Sequence, residues 1–92
     1  MSNGLDGIPR PLANVATEIL EDEVLLYHPR YQTAVYLNPT AALVWGLCDG
    51  HRSTNDIVQI LGESYPEGGA ALAQDVESVL QRLRESGLLI VD

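Results

Sequence analysis

Tyr36-Leu37-Asn38-Pro39-Thr40-Ala41-Ala42-Leu43-Val44-Trp45-Gly46-Leu47-Cys48-Asp49-Gly50 is the densest apolar stretch of this 92-residue chain, and it holds the only Trp. Its ends are marked. Asn38 can cap a helix through its side-chain oxygen, and Pro39 falls where a missing N–H costs nothing. Asp49-Gly50 supplies the left-handed glycine that closes many helices. Ala41, Val44, Trp45 and Cys48 share one helical face, while Leu43 and Leu47 lie well round the cylinder. A helix apolar on most of its circumference calls for cover on several sides. The stretch therefore predicts a central core helix with Trp45 buried, fed directly by a strand over Thr33 to Leu37.

Working back from that strand, Val24 to His28 reads as a second strand, continuous in Leu and Val and so buried on both faces. Val15 to Leu20 alternates as a first strand, ahead of an acidic turn at Glu21-Asp22-Glu23. Two short connections between consecutive strands make an antiparallel meander, with the second strand central and Thr33 to Leu37 at an edge. Residues 1–13 contain Gly4, Gly7, Pro9 and Pro11, which predicts a flexible N-terminal tail before a domain over 14–92. After the core helix, Ser53-Thr54-Asn55-Asp56 signals a capping box for a second helix to about Ser64. Pro66-Glu67-Gly68-Gly69 breaks it. A third helix spans Ala70 to Ser86, with Leu72, Val76, Val79, Leu80 and Leu83 as its stripe and Gly87 as its stop. Leu88 to Val91 is an apolar segment that must dock, as an extra strand or against an edge. The fold class is α+β, winged-helix-like, with three antiparallel strands followed by three helices.

Composition narrows the function. Five arginines and no lysine face 13 acids, for a formal net charge of −8. Phosphate-backbone binding needs clustered positive charge, so nucleic acid and an anionic membrane surface are poor partners. A winged-helix DNA reader would lead its third helix with basic and amide side chains. Here Ala70, Ala71, Leu72 and Ala73 lead, followed by Asp75 and Glu77. No apolar run reaches the roughly 18 residues of a membrane span. Absence of a secretory signal and a single cysteine, Cys48, suit a reducing cytoplasm. His28 and His51 have no convergent partners, and Cys48 lacks a neighbouring base or cation. No catalytic residue, metal ligand or cofactor site is read from the sequence, and an enzyme is not expected.

A protein-binding surface remains. Thr33-Ala34-Val35-Tyr36-Leu37 carries no charge, Pro or Gly to block further pairing, and an undefended edge can accept a peptide strand. The alternatives are that Leu88–Val91 or a second copy covers it, in a monomer or weak dimer.

Several segments together resemble the family of pyrroloquinoline quinone biosynthesis protein D. They are Leu25-Tyr27-His28, Val35-Tyr36-Leu37-Asn38, Ala42-Val44-Trp45 and Cys48-Asp49-Gly50, then Ile57 and Leu61. Asp75-Val76, Leu80, Leu83 and Gly87-Leu88-Leu89 complete the resemblance, which covers roughly residues 14 to 90. It implies a non-catalytic peptide chaperone, a recognition element for ribosomally made precursor peptides. Such proteins bind the leader by strand addition and present it to a modifying enzyme, often a radical S-adenosylmethionine protein. By position, the resemblance places the peptide site at Thr33, Ala34, Val35, Tyr36 and Leu37, walled by Val76, Val79, Arg82 and Leu83. Arg82 could pair with a leader carboxylate or with a neighbouring acid of its own chain. The readings that compete with this one are a winged-helix DNA-binding regulator and another kind of protein–protein adaptor.

Overall fold

In a computed structural model, residues 7–91 are described. The core helix α1 spans Pro39–Leu47. The Asn38 side chain accepts a hydrogen bond from the Ala41 amide at 2.9 Å, and Pro39 occupies the first turn. Ala41, Val44 and Cys48 are buried. Trp45 departs from expectation: it is only partly buried, packed against the core from its rim. Leu43 is 44% exposed, so α1 is not covered all round. One helix and the sheet cover two sides of it, and a chain this small has no further layer to close the third.

Three of the strands ahead of α1, β2 (Ala16–Leu20), β3 (Glu23–His28) and β4 (Thr33–Leu37), form an antiparallel sheet in the order β2-β3-β4. The middle strand is β3, as expected. It is not buried on both faces, because Tyr27 on the outer face is 40% exposed and no layer lies over it. Leu26 and Leu37 point the other way and are fully buried in the cluster with Val44, Val76 and Leu83.

Helix α2 (Thr54–Ser64) begins on the predicted capping box, with Ser53 and Asp56 each accepting from the other's amide at 3.0 Å. A 3₁₀ turn over Pro66–Gly68 leads into α3 (Gly69–Glu85). That helix ends in a Schellman arrangement. The Leu88 amide bonds the Leu83 carbonyl at 3.1 Å, the Gly87 amide bonds Arg84 at 3.0 Å, and Gly87 sits at φ 80.

The flexible tail expected over residues 1–13 is corrected for residues 7–13; residues 1–6 lie outside the described residues. Pro9–Pro11 forms a strand, β1, paired antiparallel with β5 (Leu89–Val91). Pro9 is fully buried. The Gly7 carbonyl accepts from the Thr54 amide at 2.8 Å, and that of Pro9 from the Gly50 amide at 3.0 Å. Leu12 bonds back to Leu88 at 2.9 Å. Proline pairs are poor strand formers on propensity, but here the two lacking N–H groups fall on the side away from β5, where no ladder needs them. His28 adds a further tie. Its Nε2 lies 3.1 Å from the Ala13 carbonyl, and its Nδ1 accepts the Tyr31 amide at 3.3 Å. A carbonyl only accepts, so the ring carries its proton on Nε2. The buried histidine is thereby structural.

Candidate peptide-docking edge

Strand β4 is the edge of its sheet, and Leu88–Val91 does not cover it, since β5 pairs with β1. Which of its main-chain groups face outward follows from the register. Leu20 and Glu23 flank a two-residue turn and are partners. The pair closing such a turn exchanges both hydrogen bonds, and the alternation then continues along the strands. Glu23, Leu25 and Tyr27 thus give their main-chain groups to β2, leaving Val24, Leu26 and His28 for β4. Their partners on β4 are Leu37, Val35 and Thr33. The amides and carbonyls of Ala34 and Tyr36 therefore point away from the sheet. An independent contact agrees: Arg82 Nη2, reaching across from α3, donates to the Tyr36 carbonyl at 3.0 Å.

The expected site residues divide into two groups. Leu37, Val76 and Leu83 have no exposed surface, so they form the floor beneath the edge and offer a ligand no side-chain contact. The apolar stripe that marks α3 in the sequence is the face it turns to the core, and only its margin emerges. Val35 and Val79 are half-buried at that margin. Ala34, Tyr36 and Arg82 are exposed, and Thr33 is half-buried at the start of the strand. The result is an open trough with β4 main chain on one side, Val79 and Arg82 on the other, and Val35 between. The sequence offers Arg82 as a candidate but not the Tyr36 carbonyl it holds, because a main-chain carbonyl leaves no signature in a sequence.

Tyr36 also hydrogen-bonds the Glu23 carboxylate through its hydroxyl. That bond, with slight burial and the charges of Glu23 and Asp22, raises the phenol above its ordinary pKa. The interaction clamps Tyr36 across the outer face of β3, leaving its main chain presented at the edge.

Two concavities lie elsewhere. One of about 470 Å³ is lined by Thr54, Glu77, Leu80, Gln81, Arg84, Glu85 and Val91. The other, about 340 Å³, lies between α1 and α2 and is lined by residues including Leu43, Leu47, Ile60 and Tyr65. Neither is lined by a β4 residue, and what β4 offers is its outward main chain. Cys48 is 2% exposed, and burial followed by the charge of Asp49 pushes its thiol up to about 12. A thiol so held stays protonated near neutrality and is a poor nucleophile. Among the described residues no group of three or more His, Cys, Asp or Glu could hold a metal ion. No helix among them is long and apolar enough to cross a membrane.

Residues 23–89 match the family described as Coenzyme PQQ synthesis protein D (PqqD). The chain is similar to the PqqD truncation of Methylobacterium extorquens PqqCD, a stand-alone recognition element for ribosomally synthesised and post-translationally modified peptides, solved in solution. The identity is 28%, over 96% of this chain and 93% of that one, with a TM-score of 0.75. It is also similar in fold to TbiB1 in complex with the TbiA(beta) leader peptide, at 22% identity over 87% of this chain and 93% of that one, with a TM-score of 0.76. No curated protein matches the chain.

Proposed function

Because this chain belongs to the PqqD family, we propose that it is a non-catalytic chaperone for a ribosomally made precursor peptide, binding the leader as an added strand on β4. One observation carries the reading: among the described residues β4 is an unpaired, uncharged edge whose outward amides and carbonyls, at Ala34 and Tyr36, lie beside α3. Main-chain hydrogen bonds give such an edge affinity without demanding particular residues, and flanking pockets supply selectivity. Val35 and Val79 meet alternate apolar side chains of the peptide, with Thr33 at one end of the strand and Leu37, Val76 and Leu83 as its rigid floor. The two similar structures support this, one being a recognition element and the other holding a leader peptide.

The bound leader is presented to a modifying enzyme, in our reading a radical S-adenosylmethionine protein in the cytoplasm, where the lone cysteine stays reduced. The protein contributes binding and orientation, and the partner contributes the chemistry. A net charge of −8 opposes duplex DNA as an alternative ligand. The test starts from any short peptide gene beside the gene for this protein. Its leader is titrated into ¹⁵N-labelled protein, with the Ala34 and Tyr36 amides followed. Saturable shifts at those amides, with slowed hydrogen exchange, are expected. Binding that leaves both amides unprotected would remove strand addition, and submicromolar binding to duplex DNA at moderate salt would favour the regulator reading.

A further inference from the structure

Arg82 is exposed on α3, and its guanidinium bonds a neutral main-chain carbonyl, that of Tyr36. Among the described residues it has no carboxylate partner, whereas Arg52 pairs with Asp49 at 2.8 Å. What distinguishes Arg82 is the acceptor it holds, a main-chain carbonyl of the sheet edge. Glu85, one helical turn along α3, does not take it. The acceptor it occupies is one of the outward groups on the β4 edge that an added strand would use.

We propose that Arg82 is a specificity residue for acidic peptides, holding the Tyr36 acceptor while the edge is empty and passing to a peptide carboxylate when the edge fills. The inference rests on strand addition at β4. In the exchange, a peptide N–H donates to the Tyr36 carbonyl in place of Nη2. The released guanidinium, with five donors in a planar fork, meets an Asp or Glu whose side chain leans toward α3. A peptide with a neutral residue there must displace Arg82 and gives it nothing in return. The long-range field of the protein acts the other way. A net charge of −8 draws basic peptides. Against that field, a preference for one acidic side chain at one position calls for a local donor, and Arg82 is the cation placed at the trough.

The probe is a displayed library of random twelve-residue peptides, selected on the full chain and on Arg82→Met, which keeps an unbranched stem against the helix. Arg82→Gln serves if the first variant is not folded by circular dichroism. Wild-type protein is expected to return peptides with alternating apolar residues and Asp or Glu enriched at one position. The variant should return the apolar pattern with acidic residues at library background. Amidating that acid in one selected peptide should weaken wild-type binding about tenfold, as for one charge-assisted bond. The same change should leave Arg82→Met within about twofold. Apolar peptides without acidic enrichment on the wild type, or equal enrichment on the variant, would overturn the role of Arg82 and leave strand addition standing. If the wild type selects nothing, or its peptides bind Ala34→Pro equally well, both fall together.

Discussion

The three-stranded sheet has two edges, and they are built differently. All five residues of β2 are exposed, Glu18 stands in the middle of the strand, and an acidic turn follows; Ile19, at 74% exposure, overhangs with nothing beneath it. On β4 there is no charge, Leu37 is rooted in the core, and α3 runs close enough for Arg82 to touch its main chain. Both strands are bonded on one side only. What separates them is the second wall. An edge that stands alone offers hydrogen bonds already satisfied by water, whereas one beside a packed helix adds apolar contact that water does not replace.

Proline placed along β4 tests the assignment of its two sides, with the largest effect. Val35→Pro removes an amide bonded to β3, leaves its acceptor unpaired and should cost about 1–3 kcal/mol in denaturant unfolding. Ala34→Pro removes one that faces outward and should cost under about 1 kcal/mol. A larger loss for Ala34→Pro than for Val35→Pro would mean that the alternation is reversed.

The same substitution then compares the edges as binding sites. Ala34→Pro should weaken a leader peptide roughly tenfold or more by calorimetry, having lost a main-chain donor and crowded the incoming strand. Thr17→Pro, its counterpart on the outer side of β2, should stay within about twofold. A comparable loss from both would place the ligand across the sheet face instead of on one edge.

The second wall can be weakened by itself. Val79→Ala should reduce leader affinity by about three- to tenfold, as expected for losing part of one apolar contact. Ile19→Ala on the overhang of β2 should leave it unchanged. Loss at Ile19 without loss at Val79 would reverse the roles of the two edges.

The smallest effect concerns pH. Tyr36 has its phenol raised by the bond to Glu23, so the stabilisation is present in full below the ordinary tyrosine pKa of about 10 and is lost as pH rises through the raised value. Tyr36→Phe should remove that alkaline component from unfolding curves. Its persistence in the variant would show that it arises elsewhere.

Local signals carried much of the architecture. Asn38, Pro39 and the Ser53–Asp56 box act within a turn of their own helices, so their caps are readable in the sequence and appear as read. The edge position of β4 followed from two short turns. Pro9–Pro11 could not be read as a strand, because its conformation is fixed by partners in Leu89–Val91, Gly50 and Thr54, distant in sequence. Trp45 and Leu43 were assigned too much cover for a related reason. Hydrophobicity reports what a side chain prefers, and the number of layers available decides what it gets. At the candidate site the strand and the helix were legible, but the split into floor and rim was not. Val76 and Val79 belong to one stripe in the sequence and differ only in which neighbour reaches them.

The β1–β5 clasp has a consequence for how the domain can be joined to other proteins. By pairing Pro9 with Val91 and Pro11 with Leu89, it brings the entry and the exit of the fold to one place. A domain closed in this way can be spliced into a surface loop of a larger enzyme without prising its host apart, like a cassette whose two leads leave through one port. The port itself resists further strand growth, since prolines at 9 and 11 supply no donors on the side away from β5 and the Pro9 carbonyl there is taken by the Gly50 amide.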